Sequence, residues 1–161
     1  EDYTDNWDPA NAQATMEGFL TAENNAIDVA LVQNDGMAGG VIAALEAQGL
    51  AGQVPVSGQD GDQAALNRVA LGTQSVSVWK DGRNLGKLAG ESALALCANP
   101  DPAAVGGRAP FTTPGGVELS SIFLEPIPIT QDNLDVVVDA EWISTEDLCQ
   151  GVEAGSVAAC P

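Results

Sequence analysis

The sequence has no histidine, only five basic residues, and few aromatic residues, which make up 4% of the chain. Against these five bases stand 23 acids, so the formal net charge at pH 7 is −18. Such a charge repels nucleic acid phosphates and anionic lipid headgroups, which excludes nucleic acid and membrane-surface binding. The absence of histidine removes the usual acid–base group of enzymes. The basic residues all lie in one part of the chain, namely Arg68, Lys80, Arg83, Lys87 and Arg108.

Other signatures are also missing. No apolar run approaches the roughly 20 residues that a membrane-spanning helix needs, so we expect no membrane insertion. No GxSxG elbow, GxGxxG turn or GxxxxGK[ST] loop is present, and no nucleophile–base pair is visible. We therefore expect no enzymatic activity, no cofactor and no metal. The chain begins at Glu1 with neither an initiator methionine nor a signal peptide, from which we expect a mature or trimmed product.

The three cysteines form no CxxC pair, and without histidine they do not indicate a zinc site. Cys149 and Cys160 bracket a C-terminal segment that contains glycine and alanine. We favour a disulfide between these two residues, which implies an oxidising compartment. The alternative is that all three thiols are reduced, buried or idle. In the disulfide hypothesis Cys97 is left without a partner.

The remaining composition, 45% hydrophobic over 161 residues, fits one ordinary globular domain. Helical and extended patterns alternate in the order α-β-α-β-α-β-α as far as Asn99-Pro100. This alternation predicts an α/β fold, a parallel sheet with helices on both faces. The first helix is expected to have Asp8 as its N-cap and Pro9 at its first position. The predicted strands are residues 26–33, 53–59 and 74–80, and the predicted helices are residues 8–25, 36–49, 62–72 and 84–97.

The pattern changes after Pro100. Residues 100–116 are rich in proline and glycine and predict a surface loop. Residues 117–129 are typical of an extended segment, and Pro126 and Pro128 restrict it to a sheet edge or a bridging position. From Thr130 onwards the sequence predicts one short amphipathic helix and a tail closed by the disulfide.

Polar side chains follow each of the three predicted parallel strands: residues 33–35, 57–62 and 79–81. Ligands of open parallel α/β sheets bind at the carboxyl ends of the strands, so we expect a cleft there. Each residue also has a plainer explanation. Asp35 and Asp62 begin helices and are expected to be N-caps, whereas Asn34 and Asp60 are also typical of turns. Lys80 is also typical of a solvated surface charge.

The chemistry of this set favours a neutral polyhydroxyl ligand. A carboxylate accepts hydrogen bonds from hydroxyls, an amide both donates and accepts, and an ammonium donates. An aromatic ring completes a sugar site by covering the apolar face of the sugar. Trp7 is the first candidate for this ring and Trp79 is the second. Because successive side chains of a strand point to opposite faces of the sheet, however, Trp79 is expected on the opposite face from Val78. We expect Trp142, in the tail, to be a packing residue.

Residues 32–80, with the elements ND, AGG, SGQD, GTQ and a final lysine, resemble the C-terminal lobe of type I periplasmic sugar-binding proteins of ABC transporters. The likeness is greatest to the xylose-binding members of that family, and it extends over residues 1–145. It implies that Trp7 stacks on the sugar and that Asn34, Asp60 and Lys80 bond its hydroxyls. It also implies a monosaccharide ligand, an ABC permease as partner, and an extracytoplasmic location in the periplasm or at the cell surface.

Members of this family have two lobes joined by three crossings, with the sugar between the lobes. The N-terminal lobe is missing from this sequence. The resemblance thus implies a C-terminal sugar-binding lobe in residues 1–129, followed by a hinge-return segment and tail in residues 130–161. Three alternatives remain open: an extracytoplasmic sugar-sensing domain of a signalling system, the effector core of a sugar-responsive repressor, and a small α/β enzyme. The acidic charge and the expected disulfide argue against the repressor.

Overall fold

The computed structural model describes residues 1–161 without gaps. The chain forms two compact units. The first, which we call the main unit, comprises residues 1–80 and 127–161, and the second, the small unit, comprises residues 81–126. None of the helices combines the length and the apolar character that crossing a bilayer requires.

The main unit contains a sheet of three strands in the order β1-β2-β5. Strands β1 (Ser57–Asp60) and β2 (Val76–Trp79) are parallel, and β5 (Ile127–Ile129) pairs with β2 in the antiparallel sense. Pro128 lies in this edge strand, where the missing N–H of proline is tolerated. The prediction that residues 117–129 reach a sheet edge is confirmed for this last part. The expected α/β fold with a parallel sheet and helices is also confirmed.

The first predicted strand, residues 26–33, is not formed as a regular strand. Only one bridge joins it to the sheet, between Ala30 and Val56 in the parallel sense. Beyond this bridge, the Val32 backbone groups bond to the Ser57 side chain instead of to backbone groups of the neighbouring strand. The Ser57 hydroxyl accepts from the Val32 N–H at 2.8 Å and donates to the Val32 carbonyl at 3.0 Å. This side chain interrupts the ladder and leaves an extended segment beside β1. The prediction of a full strand here was wrong.

Helices α1 (Pro9–Ala22) and α2 (Asp35–Ala47) pack together in the main unit. Asp8 caps α1 as expected, since its side chain accepts from the Ala10 N–H at 2.7 Å. The buried face of α1 carries Ala12, Met16 and Leu20, spaced at four residues as one helical face requires. These three residues and the inner face of α2 form one hydrophobic cluster, together with Val54 and Val56.

Glycines let α1 and α2 approach closely. A Cβ atom at Gly40 would collide with the carbonyl oxygen of Pro9, and one at Gly36 would lie 3.7 Å from the Pro9 side chain. Gly36 and Gly40 are four residues apart and therefore share one face of α2. The start of α1 thus crosses α2 at these two positions, which fixes the place of the residues just before Pro9.

A second hydrophobic cluster joins helix α3 (Gln63–Leu71), Trp79 and Ile129 to the C-terminal residues. The tail holds two short helices, α5 (Asp135–Asp139) and α6 (Thr145–Leu148), where one was expected. Gly72 ends α3 with a φ of 79°, as predicted. Cys149 and Cys160 form the expected disulfide, with an S–S distance of 2.00 Å, and Cys97 is a free, exposed cysteine.

The small unit contains helix α4 (Gly82–Ala98), a 3₁₀ turn (Pro102–Ala104) and a two-stranded sheet. Strands β3 (Ala109–Thr112) and β4 (Glu118–Ser121) are antiparallel, and the turn between them contains Gly116 at a φ of 79°. The predicted surface loop of residues 100–116 therefore includes a strand. The proline-rich sequence argues against a strand here. Pro110 is nevertheless tolerated, because both strands of a two-stranded sheet are edge strands.

Candidate functional site

Two of the predicted binding residues lie side by side at the carboxyl ends of the parallel strands. Asp60 is the last residue of β1, and Lys80 directly follows β2. The Lys80 ammonium and the Asp60 carboxylate are 2.8 Å apart, and both side chains are partly exposed. The pair therefore presents a charged acceptor and a charged donor together at one edge of the sheet, within reach of solvent.

The loop after β1 has an unusual backbone. Asp60 has a φ of 114° and Gly61 a φ of 78°. Positive φ is natural for glycine but costs a residue with a side chain about 1–3 kcal/mol. Gly61 also lies against Trp79, whose Cδ1 atom would collide with any Cβ at this position. The sequence QDGD at residues 59–62 thus forms a tight loop that turns the Asp60 side chain out at the sheet edge.

A buried carboxylate, Asp35, holds this loop. Its Oδ2 atom accepts from the backbone N–H groups of Gly61 at 2.9 Å and Asp62 at 3.0 Å, and from the Ser77 hydroxyl at 2.6 Å. Its Oδ1 atom accepts from the Gln74 amide at 2.8 Å. Asp35 is only 1% exposed. Buried charges persist only when they are fully hydrogen-bonded, and this one ties the start of α2 to β2 and to the loop that carries Asp60.

The role of Asp35 differs from the sequence prediction. It was expected to be the N-cap of α2, but Asn34 is the N-cap, and the Asn34 side chain accepts from the Met37 N–H at 2.9 Å. Asp35 is one residue further on, where its side chain is released to reach across the sheet. Asp62, also expected to be a cap, lies at the N-cap position of α3 but makes no capping hydrogen bond through its side chain.

Arg68 supports the same cluster from α3. Its guanidinium donates to the Asp35 backbone carbonyl at 2.8 Å and to the Gln74 side-chain oxygen at 3.1 Å. Burial lowers the pKa of the Arg68 guanidinium from its usual value, while the carboxylates of Asp35 and Asp62 act in the opposite direction. Burial raises the pKa of the Asp62 carboxyl above 3.8, and the carboxylates of Asp35 and Asp60 raise it further. The carboxylates of Asp35 and Asp60 are therefore close enough to that of Asp62 to raise its pKa, although Arg68 opposes part of this effect.

Asn34 lies next to this network. Its side-chain oxygen is used by the cap of α2, whereas its Nδ2 group makes no hydrogen bond within the chain. Because Asn34 precedes Asp35 and Asp60 precedes Gly61, the hydrogen bond between Asp35 and Gly61 brings the two chain segments together. Asn34 therefore carries an N–H donor in a segment that is joined to the loop of Asp60.

Trp7 precedes the helix that packs against the start of α2. It lies two residues before Pro9, which contacts the start of α2 near Asn34, since both border Gly36. Trp7 itself is 57% exposed, and Asn6 and Trp7 have φ values of 56° and 58°. The Trp7 indole is therefore exposed to solvent and free to stack on another molecule. No direct contact joins Trp7 to Asn34, Asp60 or Lys80.

The other two tryptophans lie beneath the loop. Trp79 is 6% exposed and is in the core, so it offers no open ring face. Trp142 packs against it with ring centroids 5.7 Å apart, as expected of a packing residue. Trp142 also does more, because its indole N–H donates to the Gly61 carbonyl at 2.6 Å. Sequence reasoning missed this contact, since nothing local connects residues 61 and 142.

The site has the composition of a hydroxyl-binding site. No group of three or more metal-ligating side chains occurs anywhere in the structure. The sheet edge offers a carboxylate and an ammonium, and the segments of Asn34 and Trp7 carry an amide donor and an exposed aromatic ring. Groups of these kinds can bind hydroxyls and the apolar face of a sugar ring, and the part of these four residues in binding stays a prediction.

The chain belongs to the periplasmic binding protein family, since the periplasmic binding protein domain matches residues 1–101. The D-xylose-binding periplasmic protein of Escherichia coli K12 is 41% identical over 140 residues, which are 86% of this chain. The protein of the same name from Haemophilus influenzae is 34% identical over 147 residues, or 91% of this chain. These relatives are binding proteins and not enzymes, so the prediction of a non-enzymatic protein is confirmed.

Solved structures agree on the fold. A carbohydrate transporter solute-binding protein from Chloroflexus aurantiacus, in complex with D-glucose, superposes with a TM-score of 0.74 at 28% identity, over 88% of this chain and 42% of that one. An ABC transporter solute-binding protein from Actinobacillus succinogenes with bound D-allose gives 0.65 at 26% identity, over 81% and 40%. The chain also spans only 41% and 43% of the two xylose-binding relatives. The predicted family resemblance is confirmed.

Proposed function

We propose that this chain is the C-terminal lobe of a solute-binding protein that captures D-xylose or a related monosaccharide for uptake by an ABC permease. Residues 1–129 form the sugar-binding part, and residues 130–161 form the hinge-return segment and the tail. The location is extracytoplasmic, which also suits the disulfide between Cys149 and Cys160. The relatives at 41% and 34% identity are both D-xylose-binding proteins, which supports the choice of sugar. The sensing-domain alternative is not favoured.

One observation carries the proposal: the Asp60 carboxylate and the Lys80 ammonium lie 2.8 Å apart at the carboxyl ends of adjacent parallel strands. Asp60 accepts from sugar hydroxyls, Lys80 and the Nδ2 group of Asn34 donate to them, and Trp7 covers the apolar face of the ring. The Asp60 carboxylate and the Lys80 ammonium are already paired before a ligand binds. When the ligand displaces water from them, each charge therefore keeps an oppositely charged partner. Preformed groups reduce the ordering cost of binding.

The second wall of the site comes from an N-terminal lobe that this sequence does not contain. Sugar that touches both lobes favours the closed form and is thereby trapped. With one wall only, water keeps access to the sugar, and hydrogen bonds that compete with water contribute little net free energy. We therefore expect the 161-residue chain alone to bind xylose with a Kd in about the millimolar range.

The test is a xylose titration of Asp60→Ala, with Asp28→Ala as the matched control because Asp28 is an exposed acid of the same unit. Both variants remove one negative charge, but only the first removes the proposed hydroxyl acceptor, at about 1.5–3 kcal/mol. Calorimetry on the two-lobed protein, and chemical-shift titration of the 161-residue chain, should show binding lost with Asp60→Ala and kept with Asp28→Ala. Equal affinity of both variants would place the site elsewhere. Micromolar binding by the lone chain would show that no second lobe is needed.

A further inference from the structure

The peptide groups around Gly61 determine where the Asp60 carboxylate lies. Asp60 is held at a φ of 114°, a value that a residue with a side chain adopts only when its surroundings impose it. The next residue, Gly61, is buried, so its N–H and carbonyl must both find partners inside the protein. Whatever binds these two groups therefore holds Asp60 in place.

The N–H side is held from within the sheet. The Gly61 N–H donates to the Asp35 carboxylate at 2.9 Å and to the Ser77 hydroxyl at 3.1 Å. Both partners belong to the part of the chain that matches the periplasmic binding protein domain. On this side the loop is fixed by the strand-and-helix framework itself.

The Gly61 carbonyl is bound by a residue of the C-terminal tail. The Gly61 carbonyl accepts from the Trp142 indole N–H at 2.6 Å, a contact that spans 81 residues of sequence. Trp142 lies beyond the matched domain, which ends at residue 101. The neighbouring Trp79 does not share this work, because its own indole N–H is buried without a hydrogen-bond partner.

The tail around Trp142 is itself anchored on α3. The Gln63 side chain donates to the Trp142 carbonyl at 3.3 Å. The Asn67 amide donates to the carbonyls of Leu148 at 2.8 Å and Gln150 at 2.9 Å. The disulfide from Cys149 closes the segment that follows. The indole is thus fixed in position before any ligand is present.

We propose that Trp142 is a positioning residue of the sugar site: its indole N–H fixes the Gly61 carbonyl and thereby sets the Asp60 carboxylate beside Lys80. This inference rests on the proposed function, because it assigns to the tail a part in binding the same sugar. The tail then does more than cover the core, since it supplies one of the hydrogen bonds that hold the loop, in addition to those from Asp35 and Ser77.

The test uses Trp142→Phe, which keeps an aromatic ring next to Trp79 but removes the N–H donor together with part of the indole's packing surface. Gln131→Ala is the control, because Gln131 also donates a side-chain hydrogen bond to a backbone carbonyl, that of Ala70, away from the loop. In Trp142→Phe we expect xylose affinity to fall about fivefold and amide exchange at Gly61 and Asp62 to accelerate about as much. Gln131→Ala should leave both quantities unchanged.

A thermodynamic cycle separates positioning from general stability. On an Asp60→Asn background, Trp142→Phe should have little further effect on xylose affinity, because the group that it positions is already altered. An equal fivefold loss on both backgrounds, or no loss on either, would overturn the inference. If Trp142→Phe does not fold, Gln63→Leu, which removes the side-chain hydrogen bond to the Trp142 backbone carbonyl, should change xylose affinity and amide exchange in the same direction. Failure of the unmodified two-lobed protein to bind xylose or any related monosaccharide would instead refute the proposed function.

Discussion

Replacing Asp35 by asparagine should destabilise the main unit strongly, although the change is nearly isosteric. The carboxylate accepts four hydrogen bonds, three of them on Oδ2. An amide oxygen placed toward those three donors leaves the new amide N–H groups facing the Gln74 amide, which is also a donor. Gln74 cannot reverse its own amide without losing the bond from Arg68. At least one buried donor therefore loses its partner whichever way the two amides turn.

The expected cost follows from these contacts. A buried donor without a partner costs about 1–3 kcal/mol, and the remaining bonds lose the contribution of the charge. The neutral asparagine avoids the cost of burying a charged carboxylate, which offsets part of the loss of hydrogen bonds. We therefore expect the free energy of unfolding to fall by about 3 kcal/mol. Domains of this size have a free energy of unfolding of about 5–15 kcal/mol, so the variant should still fold.

Urea unfolding followed by tryptophan fluorescence measures this change. All three tryptophans, Trp7, Trp79 and Trp142, belong to the main unit, so the signal reports on that unit alone. With a slope of about 2 kcal/mol per M urea, the midpoint should fall by about 1.5 M. Asp28→Asn, at an exposed position, controls for the change in net charge. A midpoint shift no larger than that of Asp28→Asn would refute the role assigned to Asp35.

Two further predictions concern the tail and the acidic edge. Thiol titration of the denatured, unreduced chain should find one thiol, that of Cys97, whereas three thiols would contradict the disulfide. In the chain-entropy account, loss of this disulfide should lower the free energy of unfolding by about 3 kcal/mol. Asp62→Asn should raise stability at neutral pH by about 0.5 kcal/mol, because burial and nearby carboxylates raise the pKa of Asp62 and so disfavour its ionised form in the folded chain. This advantage should disappear as the pH falls below 3.8, where the carboxyl is neutral in both states; an advantage independent of pH would show that charge is not its cause.

Local signals in the sequence gave correct structure where the partners are close in the chain. Asp8 and Pro9 begin α1, and Gly72 ends α3, because capping and turn geometry depend on neighbours only. The disulfide was also found locally, since its cysteines are 11 residues apart.

Contacts between distant residues were not foreseeable in the same way. Asp35 resembles a helix cap in sequence, but its partners Gly61, Gln74 and Ser77 lie 26 to 42 residues further along the chain. The segment at residues 26–33 has the pattern of a buried strand, yet one hydroxyl of Ser57 takes over the backbone groups of Val32. The choice of Asn34, Asp60 and Lys80 came from the strand ends and the family resemblance, and their role in binding stays a prediction.

The close crossing at Gly40 has a consequence for engineering sugar preference. A methyl group at this position would have to displace the Pro9 carbonyl, and the displacement would be passed along the rigid start of α1 to the tryptophan two residues earlier. On the prediction that Trp7 stacks on the sugar, a residue that touches no ligand would then shift this aromatic ring and change the size of the sugar that fits against it. Mutant libraries aimed at larger or smaller sugars should therefore vary position 40 as well as the contact residues.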